Sequence, residues 1–358
     1  MVSLENHIKR VSDAIEHWLR PDNYLLKEAI DRTVNEGLFS FPDLKHRILT
    51  LKKSLRKNHL ERWARISGLI PGSMNGKRVL CLHAGNLPLV GIQDLLAVLL
   101  TGGTYSGKMS RKDPYLLPTL IKSLYKYDLI ENADWSTKLE SLSGFKSDAV
   151  LFAGSKQSAE KVNEKLHSLN LAGSSTPRLM RTAHFSIAYI RDNQPETMEN
   201  LTEAVFRYGG TGCRSVAVVV APFFLNSQKC SFTDYVEAFW LKNPQHQKPS
   251  DSLFHRFAYN KGVGIEQAWL NDFLIEENVE KPIDHFILYW VKGGARELEE
   301  IIKRYRDGLQ SVYTTGELVG EDFRGFISEP LKEAQNPPIW WKPDGIDTIQ
   351  WLQKQVDK

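Results

Sequence analysis

The sequence predicts an α/β protein in which two domains, each built on a parallel sheet, follow a helical N-terminal segment. Three observations carry that reading. From Lys77 onward, short apolar runs alternate with stretches of helical spacing, the pattern of strands joined by crossover helices. Ahead of them, residues 1–70 show helical periodicity throughout. Further on, the glycine-rich turn Tyr208-Gly209-Gly210-Thr211-Gly212-Cys213-Arg214-Ser215 runs straight into the buried-strand pattern Val216-Ala217-Val218-Val219-Val220-Ala221, and the alternation resumes behind it.

Taken in order, Ile8, Val11, Ile15 and Leu19 recur at helical spacing until Pro21 breaks the run, and 25–38 and 44–60 resume it. The basic residues from Lys45 to Lys57 share their segment with Ile48, Leu49, Leu51, Leu55 and Leu60, so they read as the solvated face of an amphipathic helix. Residues 78–82 are expected as a strand, 83–86 as a turn, and 88–100 as a helix with Pro88 near its first turn. A strand at 104–109 and a helix at 114–127 follow. Next come a strand at 148–152, a turn ending in the capping Ser155, and a helix at 156–169. In a parallel sheet of this kind ligands bind at the carboxyl ends of the strands. The second half is expected to hold helices at 195–208, 231–241 and 295–305, strands at 216–221, 285–291 and around Val312-Tyr313, and a polar loop at 243–250. The expected boundaries are 1–70, 71–191, 192–325 and a tail, 326–358, that packs back on the core.

Composition narrows the function classes. A net charge of +3 over 358 residues gives no case for nucleic acid or an anionic membrane as partner. Three cysteines, Cys81, Cys213 and Cys230, suit a reducing compartment better than a disulfide framework. No CxxC or HxxxH spacing calls for a metal, the first residues lack the build of a signal peptide, and the longest apolar runs are too short to span a bilayer. The expected location is cytoplasmic. Two stretches imitate phosphate loops, 72–77 and 103–108. The first is one residue short, and Arg78 or Met109 stands where Ser or Thr should hold magnesium. No GxGxxG follows the strand at 148–152, although Gly154-Ser155 opening a helix is a seat for an anion.

Cys213 carries the chemistry. Glycines before it let backbone approach a substrate and leave N–H groups to face a developing oxyanion, and a neighbouring arginine favours the thiolate. The bland alternative is a cysteine that packs at the start of a strand.

Four stretches then resemble the aldehyde dehydrogenase superfamily and, within it, the acyl-CoA reductases related to the fatty-acid reductase of bacterial luminescence, the LuxC family. They are His83-Ala84-Gly85-Asn86-Leu87-Pro88-Leu89, Gly107-Lys108-Met109-Ser110-Arg111-Lys112-Asp113-Pro114, Gly209 to Ser215, and Trp341-Lys342-Pro343-Asp344-Gly345-Ile346-Asp347-Thr348. A fifth, 298–314, is similar to the superfamily's late helix and strand. The resemblance implies an aldehyde-dehydrogenase-like fold with an NADP-binding domain at 71–191 and a catalytic domain at 192–325. It implies Cys213 as the nucleophile and Asn86 as the amide that completes the oxyanion hole. It also implies Lys108, Ser110, Arg111, Gly154 and Ser155 at the cofactor. Arg111 stands where many NAD-using members carry a ribose-binding glutamate, which favours NADPH over NADH. The water-activating glutamate of the hydrolytic members has no counterpart: 167–191 contains no Asp or Glu, and Arg181 or its neighbours stand in its place. His184 lies in the same stretch. Glu280 is a candidate, unsupported by its neighbours, for the nicotinamide-ribose glutamate.

The implied activity is NADPH-dependent reduction of a long-chain fatty acyl thioester, from CoA or acyl-carrier protein, to the aldehyde through a Cys213 thioester. Alternatives are the same chemistry run oxidatively, a subunit that only transfers acyl groups on Cys213, and a non-catalytic binding protein. The implied partners are the acyl donor, an acyl-activating or acyl-transferring protein, and further copies of the chain in a homo-oligomer.

Overall fold

A computed structural model describes residues 3–244, 252–270, 273–277 and 286–355. The chain divides into two compact units: residues 1–182 with 338–358, and residues 183–337.

In the first unit, helices α1 (Leu4–Trp18), α2 (Tyr24–Asn35), α3 (Phe41–Ser54) and α4 (Lys57–Ile66) come first. Ser3, Asn23 and Ser40 cap the first three through side-chain oxygens that accept backbone N–H groups. There follow β1 (Arg78–Leu82), α5 (Ile92–Thr101), β2 (Thr104–Lys108), α6 (Leu116–Lys126), β3 (Ala133–Ser136), β4 (Ala149–Ala153), α7 (Lys156–Ser168) and β5 (Arg178–Arg181). The strands form one parallel sheet in the order β3-β2-β1-β4-β5. Alternation along β1 sorts its two faces. Val79 and Cys81 join the core made with α1, α3, α4, α5 and α6, while Leu80 and Leu82 join the one made with α7 and 139–145. The N-terminal helices are therefore part of this unit's core, and Trp18 donates its indole N–H to Thr119 on α6 at 2.8 Å.

The strand order reverses between β1 and β4, so the turns that leave these two neighbours flank the switch point where such sheets bind ligands. Those turns carry Asn86 and Gly154-Ser155. Helix α5 begins at Ile92 and not at Pro88, because Leu89 takes a left-handed φ of 59° that a continuous helix cannot accommodate.

The second unit comprises β6 (Phe185–Tyr189), α8 (Pro195–Phe206), β7 (Val216–Ala221), α9 (Leu225–Lys242), α10 (Ser252–Gly262), β8 (Gln267–Leu270), β9 (Phe273–Glu276), β10 (Ile287–Lys292), α11 (Ala295–Tyr305) and β11 (Leu309–Thr314). The small pair β12 (Asp322–Phe323) and β13 (Phe326–Ile327) and the edge strand β14 (Glu329–Pro330) complete it. The main sheet runs β14-β11-β6-β7-β10-β9-β8, parallel except where β8 pairs with β9. Its two faces bury separate cores, one under α8 and α9 and one under α11. The strand β6 pairs with β7 and β11, which places 183–191 with the second unit, although the sequence groups it with the first domain.

The tail likewise divides. Residues 326–337 stay with the second sheet, while 338–358 return to the first unit. There Gln93 donates to the carbonyls of Ile339 and Trp341 at 2.7 and 2.6 Å, and Asp347 caps α12 (Thr348–Gln353). Most of the expected 243–250 loop, and His285 at the head of its expected strand, lie outside the described residues. No helix among the described residues is long and apolar enough to cross a membrane.

Candidate active site

The nucleophile turn belongs wholly to the second unit. Helix α8 ends at Phe206, and Tyr208, Gly209 and Gly210 all adopt positive φ, at 58°, 69° and 69°. Glycine is required at 210, where a Cβ would stand 2.9 Å from the carbonyl oxygen of Val205. Cys213 is partly exposed just ahead of β7, so it sits at the amino end of this strand and not at the carboxyl end that parallel sheets usually offer.

Both peptides flanking Cys213 are held. The Gly212 carbonyl accepts the Ser215 N–H at 2.9 Å, and the Cys213 carbonyl accepts the Ser186 hydroxyl at 2.9 Å. Arg214, which the sequence offers as a cation beside the thiol, is buried. Its guanidinium donates to the carbonyls of Ala334 and Glu333 and meets the Glu329 carboxylate at 3.1 Å, and it lies over the Tyr313 ring. These contacts fasten the floor of the turn. Cys81, by contrast, is sealed in β1, where burial pushes its thiol well up. Nothing is described of the Cys230 side chain.

In the first unit, the turn after β1 holds a partly exposed Asn86. A Cβ on Gly85 would lie 2.1 Å from the Ser110 hydroxyl oxygen, so the turn leans directly on the 109–113 loop. From that loop the buried Asp113 accepts the Leu89 N–H at 2.7 Å. Arg47 of α3 donates to the carbonyls of Pro88 and Leu89 at 3.1 and 3.3 Å, so the basic cluster is not merely a solvated face. Desolvation raises the Asp113 pKa to about 6. Beneath the turn, His83 bonds the Tyr105 hydroxyl at 2.7 Å and its ring fills the space a side chain at Gly91 would need. Burial lowers the His83 pKa to about 4, so the ring is neutral.

The expected cofactor residues share this unit. Lys108 ends β2, and burial, with Arg111 and Lys165 nearby, holds its ammonium below the ordinary value. Arg111 is exposed. Ser110 packs against Gly85 and accepts the Lys112 N–H. Ser155 caps α7 by accepting the Ser158 N–H at 3.1 Å, and the Gly154 N–H is engaged with the Arg181 carbonyl. Arg181 is buried against Asp94 at 2.7 Å and donates to Thr348, a structural pairing. His184 is exposed, in contact with Phe185 and packed at Gly308. Glu280 lies outside the described residues. Among the described residues no cluster of His, Cys, Asp and Glu is arranged to hold a metal. Asp113, Arg47 and Ser186 escape a reading of the sequence because only folding brings them to their turns.

Residues 47–221 match the acyl-CoA reductase (LuxC) family. No curated protein sequence matches the chain. Among solved structures, an oxidoreductase from Marinobacter aquaeolei is similar over 88% of this chain and 74% of its own, at 11% identity and a TM-score of 0.62. An NADP-dependent glyceraldehyde-3-phosphate dehydrogenase from Bacillus halodurans C-125, complexed with NADP, is similar over 88% of this chain and 78% of its own, at 13% identity and a TM-score of 0.53. The indole-3-acetaldehyde dehydrogenase AldA of P. syringae, in complex with NAD+, covers 88% and 76% at 11% identity and a TM-score of 0.53. At such identities the likeness is one of fold, and the fold is that of the aldehyde dehydrogenases.

Proposed function

Starting from a LuxC-like oxidoreductase, we propose that this chain reduces a long-chain fatty acyl thioester, donated by CoA or an acyl-carrier protein, to the aldehyde with NADPH as reductant. The observation that carries the reading is the setting of Cys213: a partly exposed thiol on a glycine turn with both flanking peptides held.

The Cys213 sulfur bonds to the acyl carbonyl carbon, and the carbonyl oxygen takes up the charge. The Cys213 N–H and the Asn86 side-chain amide receive that oxyanion, and each such donor contributes about 3 kcal/mol in the transition state. The bond to the donor thiol then breaks, the departing thiolate takes a proton, and the acyl group remains on Cys213. Bound NADPH supplies a hydride. Once the acyl carbon is reduced, its oxyanion rests on the same two donors until the carbon–sulfur bond breaks, releasing the aldehyde and restoring the thiolate. Survival of the thioester depends on keeping water unactivated. Residues 167–191 supply no carboxylate, and Arg181 is locked to Asp94.

The residues of the first unit suit NADPH. Burial first, and then the charges of Arg111 and Lys165, hold the Lys108 ammonium below its ordinary value, and Lys165 is paired with Glu140 at 3.0 Å; a 2′-phosphate beside Lys108 and Arg111 would favour the charged ammonium. Gly154-Ser155 would face the pyrophosphate, with the first turn of α7 supplying its N–H groups and dipole because the Gly154 N–H is already engaged.

Incubation with NADPH and a series of acyl-CoA and acyl-carrier-protein thioesters should yield aldehyde. Cys213→Ala should abolish it while NADPH still quenches tryptophan fluorescence on binding. Turnover by Cys213→Ala at the wild-type rate, or labelled acyl loading of Cys213 with no NADPH consumed in any condition, overturns the reading.

A further inference from the structure

The strand that carries Ser186 is irregular at one place, and it is irregular on both sides there. Against β7, Ser186 pairs with Val216 but Ile187 pairs with Val218, so one extra residue of β7 lies opposite that step. Against β11, Phe185 pairs with Leu309 but Ile187 pairs with Val312, so β11 also carries one extra residue. Bulges of this kind re-aim a side chain and favour the neighbourhood of active sites. Two of them bracketing one fully buried serine mean that neither neighbouring ladder sets its direction in the ordinary way.

Ser186 uses that freedom twice. Its backbone N–H donates to the Ser215 carbonyl at 2.9 Å, and its hydroxyl donates to the Cys213 carbonyl at 2.9 Å. Ser215 meanwhile holds the preceding peptide, accepting the Gly212 N–H on its hydroxyl and donating its own N–H to the Gly212 carbonyl. The peptide joining Gly212 to Cys213 is thus fixed from one side, and the peptide joining Cys213 to Arg214 from the other. Rotation of the first would swing the Cys213 N–H, and the two planes together orient the Cα from which the sulfur projects. The bulge in β11 has its own anchor: Ser311 donates to Glu329 at 2.7 Å, and the same carboxylate holds Arg214. The two irregular ladders and the residue after the nucleophile are therefore tied into one assembly.

We propose that Ser186 is a positioning residue for Cys213: its hydroxyl fixes the plane of the Cys213–Arg214 peptide and so, with the Gly212–Cys213 peptide and its oxyanion-binding N–H held by Ser215, the orientation of the Cα that carries the sulfur. This rests on Cys213 being the nucleophile. Ser186 touches no substrate; it acts through the turn. A misplacement near 1 Å at a reacting atom can cost about a hundredfold in rate, so a single hydroxyl has room for a large effect.

The test uses the full chain with Ser186→Ala, Ser186→Cys and Ser186→Thr. Cysteine keeps the size but donates poorly, and threonine keeps the donor. The readouts are kcat and KM for acyl thioester and for NADPH, and the rate at which iodoacetamide alkylates Cys213 across pH, followed by peptide mass spectrometry. The expected result is that Ala and Cys each lower kcat about ten- to a hundredfold with both KM values within about twofold of wild type. The Cys213 alkylation rate or its pH profile should shift, and Thr should recover most of the loss. Should Ala not fold, the comparison of Cys with Thr decides alone. Wild-type kcat and alkylation in the Cys variant, or failure of a folded Thr variant to recover either, overturns the proposal. Turnover surviving in Cys213→Ala would instead remove the nucleophile reading beneath it.

Discussion

The Asn86 turn and the Cys213 turn solve one problem with opposite materials. Each contains a residue other than glycine in the left-handed region, Leu89 at 59° and Tyr208 at 58°, so each must be held by its surroundings. The Asn86 turn leaves the carboxyl end of β1 and is fastened by ionisable groups from distant segments, Asp113 on the Leu89 N–H and Arg47 on two carbonyls. The Cys213 turn lies at the amino end of β7, where a neutral hydroxyl holds the Cys213 carbonyl and Ser215 holds Gly212, while Arg214 and Glu329 pair a residue further on. A turn that presents an amide tolerates titratable supports. The one that presents a thiol has a hydroxyl, which does not titrate, on the carbonyl of its nucleophile.

The comparison is sharpened most by Asn86→Ala. If the amide receives the oxyanion, kcat should fall about a hundred- to a thousandfold, the range for loss of one such donor, while the KM for NADPH and the melting temperature stay near wild type. Asn86→Asp should do no better, because a carboxylate repels the oxyanion. Stopped-flow aldehyde formation with each variant measures this. Unchanged kcat in the alanine variant would leave the turn after β1 a scaffold only.

The charged supports give the next effect, on stability. Asp113 has a folded pKa of about 6 against 3.8 in the unfolded chain. Its raised value means the stability it contributes is fully present below pH 3.8 and is lost as the pH rises through 6, by about 3 kcal/mol in all. His83 runs the other way over an overlapping window. Its folded value near 4 lies below 6.5, so the stability it contributes is present above pH 6.5 and is lost as the pH falls towards 4. The net profile of the wild type mixes the two, and the difference from Asp113→Asn isolates one. Urea denaturation at pH 4, 5, 6 and 7 should show the asparagine variant gaining relative to wild type as pH rises. A difference that is flat with pH would remove Asp113 as the titrating support. Variants at Ser186 should show no such pH-dependent stability difference, since a hydroxyl does not titrate in this range.

Those supports are also where the sequence stops being legible. Runs such as Val216–Ala221 and Ala149–Ala153 announce themselves, because central parallel strands are buried on both faces and read as unbroken apolar stretches. The edge strands β3, Ala-Asp-Trp-Ser, and β5, Arg-Leu-Met-Arg, do not, since an edge tolerates polar residues. Strand β6 is hidden by Ser186, its second residue, which both bulges surround. The glycines of the Cys213 turn mark it, but nothing local to Arg214 reveals that its charge goes to Glu329. That pairing joins residues far apart in the chain. Pro88 argues for a helix start that Leu89 refuses only because Asp113 and Arg47, from two other segments, hold it otherwise.

The smallest expected effect separates the cofactor from the turn. Arg111 and Asp113 share the 109–113 loop, whose Ser110 carries the weight of Gly85. Arg111 is exposed, so its replacement should leave that contact intact. If it meets a 2′-phosphate, Arg111→Glu should lower kcat/KM with NADPH on the order of tenfold through KM, because one exposed charge-assisted contact is lost and a repulsion gained. NADH should be little affected or improved, since a carboxylate at this place can accept from ribose hydroxyls. The ratio of kcat/KM for the two cofactors is therefore the quantity to measure, with kcat at saturating cofactor as the control. An equal fall in kcat with both would mean that the loop acts on Asn86 through Ser110 and Asp113. The two turns would then differ in a further way, one being coupled to the cofactor seat beside it and the other fixed by its own sheet.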